Sequence, residues 1–182
     1  MSTLKLLGIS GSLRRASCNT GLLRAAASVA PAGISLEIAD LSDIPFYNQD
    51  LAEKPAAVQR VLAQMAQADA FVFACPEYNY SLAPALKNII DWASREPNNA
   101  LLAGKAAAIV GAGGGMGTAR SQYHLRQVCV YVDVHVLNKP EFFANAFAGG
   151  FDADGNLLDD NLKQQLATQL QALAVFAGKL KG

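Results

Sequence analysis

Charge of either sign is scarce in this chain of 182 residues. Only 16% of the residues are charged, and Lys plus Arg and Asp plus Glu both number 15, so the formal net charge is zero. No nucleic-acid partner and no anionic membrane surface is expected, because both select for a basic field. Cysteine is also sparse. Cys18, Cys75 and Cys129 are odd in number, widely spaced and form no CxxC pair. That pattern argues against a disulfide framework or a metal site, and makes a reducing compartment, the cytoplasm, the default. No apolar run approaches the ~20 residues of a membrane span. The N-terminus lacks a secretory layout, since Lys5 and the polar run from Ser10 leave too short an apolar core. Two nucleotide-binding fingerprints are missing as well. No GK[ST] completes a Walker A loop. Gly8, Gly11 and Gly21 do not fit GxGxxG, and Met116 stands where Gly111 and Gly113 would need a glycine. With no repeat, low-complexity tract or evident linker, residues 1–182 are expected to form one domain.

What the chain does hold is apolar sequence, 52% of it, arranged in alternating periods. Residues 4–9 are an apolar run, and Leu22, Leu23, Ala26 and Ala27 follow at helical spacing. Residues 34–39 alternate like a strand, and Val58, Val61, Leu62 and Met65 repeat like a helix. Residues 70–75 read as a buried strand closed by Pro76, and a helix from about Pro84 buries Leu86, Ile89, Ile90 and Ala93. Residues 105–110 give a fourth strand, Tyr123 to Val130 a helix, and 132–137 a fifth strand. Leu162, Leu166, Leu170, Leu173 and Leu180 form a closing helical stripe. Strands that alternate with helices imply a parallel sheet covered on both faces by right-handed crossovers. The rhythm suits an α/β, flavodoxin-like three-layer sandwich with five parallel strands in the order 2-1-3-4-5. Ligands on such a sheet bind at the carboxyl ends of the strands. Residues 139–158 are the one long irregular stretch.

Three loops should meet at that edge. The first, residues 10–20, offers hydroxyls at Ser10, Ser12, Ser17 and Thr20, the Asn19 amide, and the guanidiniums of Arg14 and Arg15. It opens a helix, where free N–H groups and the dipole favour an anion. A phosphate monoester needs several donors and a compensating cation, and arginine supplies the latter as a planar fork. A capped helix start with solvated side chains is the alternative; the clustering of donors and cations directly after a strand favours the phosphate. The second loop, Pro76-Glu77-Tyr78-Asn79-Tyr80-Ser81, could cover one face of a flat ring, or its tyrosines could pack on the following helix. Glu77 reads as a positioning residue rather than a base. The third, residues 111–117, is rich in glycine, which lets backbone N–H groups approach a ligand closely or simply makes a flexible connector.

GSLRRASCN at 11–19, PEYNYS at 76–81 with LKNIIDWASR at 86–95, and QYHLRQ with NKPEF at 122–127 and 138–142 resemble the NADPH-dependent FMN reductase family, and within it the bacterial quinone and chromate reductase branch. The resemblance spans nearly the whole chain. It implies a non-covalent FMN, with NADPH or NADH as electron donor. Its phosphate would be held by Ser12, Arg14, Ser17 and Asn19, with Ser10 as neighbour. Its ring would lie against Pro76, Glu77, Tyr78, Asn79 and Tyr80. Close relatives carry serines where this chain has Ala112 and Gly113, so Gly113 can keep only a backbone contact. The implied activity is reduction of small acceptors such as quinones or flavins, with chromate and azo compounds as further candidates. FMN would carry the chemistry, with no catalytic side chain required. The resemblance also implies a homodimer or homotetramer. The helix through 118–131 offers a matching outer face of Tyr123, Arg126, Gln127 and Val130. His124 and His135 are expected to be structural and remote from the three loops. A flavodoxin-type electron carrier is the alternative, but carriers gain from a single-sign charge field that this chain lacks.

Overall fold

A computed structural model describes residues 3–181. The main sheet consists of β1 (Leu4–Ser10), β2 (Ile34–Ala39), β3 (Ala70–Ala74), β4 (Ala106–Val110) and β5 (His135–Val136). All neighbours are parallel, in the order β2-β1-β3-β4-β5. The helices are α1 (Cys18–Ser28), α2 (Ala56–Gln67), α3 (Pro84–Ala93), α4 (Ala119–Tyr131) and α5 (Asp160–Leu180). The expected sandwich and strand order are both present.

Because side chains alternate across a strand, each central strand feeds two cores. Leu7, Ile9, Phe71, Phe73, Ala107 and Ile109 point toward α2, α3 and α4. Leu6, Ala70, Val72, Ala74, Ala106, Ala108 and Val110 point toward α1 and α5. The first face carries the bulk, including the stacked rings of Phe71 and Phe73 with centroids 5.5 Å apart. The second is rich in alanine, which brings α5 close enough for the buried Gln169 amide to donate to the Ile109 carbonyl at 3.2 Å and the Pro140 carbonyl at 3.0 Å.

Local chemistry sets the helix ends. Ser17 caps α1, its hydroxyl accepting from Thr20 N–H at 3.3 Å, and Asp159 caps α5 by accepting from Leu162 N–H at 3.0 Å. Pro84 starts α3, where its missing N–H costs nothing.

The fifth strand is shorter than the alternation at 132–137 predicts. The helix α4 keeps Val132 as its C-terminal cap, and Asp133 adopts φ 55°, so the ladder with β4 starts only at His135. The irregular stretch also has more order than expected. Ala112–Gly113 pairs in parallel with Ala144–Asn145, and Phe151 bridges to Leu157.

Register fixes where the ligand end lies. Ser10 is level with Ala74, and Ala74 with Val110. The hydrogen bonds continue one residue further, from Gly11 N–H to the Ala74 carbonyl and from Cys75 N–H to the Val110 carbonyl, each at 2.9 Å. Three loops therefore leave the sheet side by side, at one height.

Candidate functional site

The first loop turns on its own hydroxyls. Ser10 is buried, and its hydroxyl accepts from Thr20 Oγ at 2.9 Å and from Ser12 N–H at 3.2 Å. Ser10 thus braces the loop from beneath instead of facing the cleft. Arg14 folds along the loop, donating to the Ala16 carbonyl from Nη2 at 2.6 Å and from Nε at 3.2 Å. The first turn of α1 holds no acidic residue, so its positive end is not neutralised from within.

Asn19 is almost wholly buried and spends both ends of its amide on one backbone unit. Its Nδ2 donates to the Ala112 carbonyl at 2.9 Å, and Ala112 N–H donates to its Oδ1 at 3.0 Å. The start of α1 is thereby tied to the third loop across β3.

The second loop is a tight hairpin. Glu77–Tyr78 pairs antiparallel with Ser81–Leu82, and the turn residues Asn79 and Tyr80 take φ values of 50° and 69°. Such primed turns match strand twist but strain a tyrosine. Arg120 offsets this by laying its guanidinium 3.8 Å from the centre of the Tyr80 ring. The same guanidinium pairs with the Glu77 carboxylate, which raises its pKa further above the usual arginine value. Glu77 also accepts from the N–H groups of Arg120 at 3.2 Å and Ser121 at 3.4 Å, capping α4 in place of Thr118, whose side chain does not. These partners tie the Glu77 carboxylate to the start of α4.

In the third loop, the glycine at 113 has a packing reason of its own. A Cβ there would lie 2.7 Å from the methyl of Thr118, which is buried at φ 68°. Gly114 and Gly115 have open space around their Cα atoms.

Ser12, Arg14, Ser17, Asn19, Pro76, Glu77, Tyr78 and Gly113 line one cleft of about 520 Å³. Asn79 and Tyr80 line an adjoining recess of about 600 Å³ that shares Glu77, Gly113 and Gly114 with the cleft and adds Met116 and Arg120. A fourth wall, missed in the sequence, comes from Ala146, Phe147, Phe151, Asp152 and Ala153. It is clamped to α1. A Cβ at Gly21 would sit 1.7 Å from the Gly155 carbonyl oxygen, so the two backbones touch only because position 21 is glycine. Arg24 reinforces the contact, donating to Asn156 Oδ1 at 3.0 Å and to the Asp154 carbonyl at 3.3 Å. Hydrogen bonds from the Asn156 side chain and backbone hold the Asp152 carboxyl below its ordinary pKa. The signal available in the sequence was the Asp-Ala-Asp-Gly turn, which names a bend but not its neighbour.

One histidine departs from expectation. His124 is not remote: its Nδ1 lies 3.1 Å from Ser81 Oγ, on the second loop, because α4 packs along the hairpin. His135 lies 3.6 Å from Asp133 at the other end of the sheet. The thiols of Cys75 and Cys129 are buried, which pushes them up to about 11 and about 12. Both are inert at neutral pH.

Residues 4–149 match the family model for NADPH-dependent FMN reductase. The chain belongs to that family. It is 52% identical to an NAD(P)H-dependent FMN reductase of Pseudomonas aeruginosa, over 98% of each chain. It is 50% identical to an NAD(P)H:quinone oxidoreductase of Solanum tuberosum, covering 98% of this chain and 95% of the relative. Among solved structures it is similar to FerB, a flavoenzyme NAD(P)H:acceptor oxidoreductase from Paracoccus denitrificans. There the TM-score is 0.87 at 30% identity, over 97% of this chain and 98% of that one. The family expected from the motifs is therefore borne out, and with it the assignment as an FMN-linked, NAD(P)H-dependent oxidoreductase.

Loss of the Asn19 tie should be felt without any ligand. Asn19→Ala leaves a buried donor and acceptor of Ala112 unpaired and is expected to destabilise the flavin-free protein by about 2–4 kcal/mol. Urea unfolding monitored by circular dichroism measures this; a change below about 1 kcal/mol contradicts the structural role.

Proposed function

We propose that this chain is an NAD(P)H-dependent reductase of quinones and similar flat acceptors, using one FMN held in the cleft at the carboxyl end of the sheet. One observation carries the reading: an anion-ready helix start and an aromatic hairpin share a single 520 Å³ cleft. That volume is in the range of cofactor pockets. The donor set fits the cofactor. Ser12, Arg14 and Ser17 at the open N-terminus of α1 suit a phosphate dianion, and Asn19 holds that helix start in place. Pro76, Glu77, Tyr78, Asn79 and Tyr80, with the Gly113 backbone, suit a flat ring. The relatives named above as FMN and quinone reductases support the same substrates.

FMN held here would supply the redox chemistry, hydride acceptance from the nicotinamide and two-electron delivery to the acceptor. The protein's part is placement. The pairing of Glu77 with Arg120 and the α4 N-terminus fixes the hairpin, and the clamp from Gly21 to Gly155 fixes the opposite wall. The Pro76–Tyr80 loop and the Gly113 backbone would cover one face of such a ring and leave a single opening for donor and acceptor in turn.

The chain works as one domain, supported by the two cores sharing a single sheet. A cytoplasmic location is supported by three free cysteines. No helix among the described residues is long and apolar enough to cross a membrane. A homodimer or homotetramer is supported by the outer face of α4, where Tyr123 and Val130 lie exposed two turns apart, with Tyr131 beside Val130.

Three outcomes test the reading. Heat-released pigment should chromatograph as FMN, and Arg14→Ala should weaken its binding by about 1.5–3 kcal/mol while riboflavin binding stays nearly unchanged. FAD as the pigment, or equal and negligible effects of Arg14→Ala and Arg15→Ala, contradicts the phosphate assignment. Initial rates with varied NAD(P)H and quinone should give parallel double-reciprocal lines, and intersecting lines rule out the shared opening. Light scattering at micromolar concentration should return the mass of a dimer or a tetramer; a monomer removes the α4 interface.

A further inference from the structure

One large side chain of the fourth wall stands outside both cores. Phe151 and Ala146 are partly buried against the α1 and α5 core. Phe147 lines the same cleft but stands 84% exposed. Its position is not the result of a loose loop. The Phe147 N–H donates to Asn145 Oδ1 at 2.9 Å, and the neighbouring Ala146 N–H donates to the Gly113 carbonyl at 2.7 Å. Asn145 itself pairs with Gly113 in the short ladder. The backbone that carries the phenyl ring is thus fixed beside the third loop. Exposure alone is ordinary for a single apolar side chain; what sets this one apart is that it lines the cleft, where a flat ring entering beside it would bury its face. Tyr78 borders the cleft from the hairpin and is itself 45% exposed.

We propose that Phe147 is a specificity-determining residue, packing its ring against the flat ring of the incoming acceptor and favouring planar quinones over compact ionic oxidants. The proposal rests on the reductase reading above and names what selects its substrate. A phenyl group has no proton to give and no charge to place. It contributes contact area and an edge-to-face or offset-stacked ring pair. Its removal should therefore act on the binding of ringed acceptors and leave electron delivery to a ringless one untouched. Its backbone anchors involve no side-chain atom of Phe147, so truncation does not dismantle the wall.

The test compares menadione with ferricyanide as acceptors for wild type, Phe147→Ala and Phe147→Tyr, at saturating NADPH in the flavin-loaded protein. Phe147→Ala is expected to raise the menadione KM about three- to tenfold, the worth of one ring pair. The ferricyanide KM should stay within about twofold, with both acceptors assayed at saturating FMN because Phe147 borders the same cleft. Phe147→Tyr should restore the menadione KM. An unchanged menadione KM, an equal shift with both acceptors, or a parallel loss of oligomer mass overturns the assignment. Wild type separates the two levels of inference. A wild type that takes no FMN and oxidises no NADPH fells the reductase reading and this role with it. An active wild type with an indifferent Phe147→Ala fells the role of Phe147 alone.

Discussion

The Asn19 side chain joins two segments that are far apart in sequence and separated in the sheet by β3. Its amide presents one donor and one acceptor, and the Ala112 peptide offers the complementary pair, so both ends of the bond are satisfied in a buried setting. Each segment has ties of its own, the first from Gly11 N–H to the Ala74 carbonyl and the third through the pairing of Ala112–Gly113 with Ala144–Asn145, but neither tie joins the two. The first loop is fixed internally by Ser10 and Ser17, but those bonds say nothing about its distance from the third loop. In a low-dielectric interior a paired amide is favourable and an unpaired one is costly, which makes this contact close to all-or-none. It fixes the spacing across the cleft, since the start of α1 and the backbone of the third loop are locked to each other.

Glu77 does the corresponding work on the other side. A carboxylate at the edge of an aromatic cleft invites a reading as an acid or base. Here its oxygens are occupied by the Arg120 guanidinium and by two N–H groups at the start of α4. The same arginine covers Tyr80, whose backbone sits in the left-handed region. One ion pair therefore caps a helix, supports a strained turn and orients the hairpin. The division of labour fits a flavoprotein in which the cofactor carries the redox chemistry and the chain supplies position.

The remaining wall depends on the absence of atoms. Gly21 and Gly155 meet backbone to backbone, and any side chain at position 21 would collide with a carbonyl oxygen. Gly113 yields to Thr118 in the same way. Gly113, which the sequence offered as an opening for a ligand, is an opening for another part of the protein, whereas Gly114 and Gly115 of the same loop face free space.

The sequence by itself determined the strands and helices whose periodicity is strong, their order in the sheet, and the family. Alternation and helical spacing depend on which residues are apolar, and right-handed crossovers leave few topologies. It also placed Ser12, Arg14, Ser17, Asn19, Pro76, Glu77, Tyr78 and Gly113 on loops at one edge, because parallel strands send their carboxyl ends the same way. Only the tertiary structure decided the rest. The fifth strand shortened because α4 claims Val132 as its cap and Asp133 turns left-handed, a competition that strand alternation cannot register. His124 reached Ser81 because α4 packs along the hairpin. The wall of Ala146, Phe147 and Phe151 came from a stretch with no period at all, held at one end by the Gly113 carbonyl and, through Asp154 and Asn156, by Arg24 at the other. Periodicity reports what a segment does with its own backbone; a wall built from long-range glycine contacts and side-chain bonds leaves no such trace.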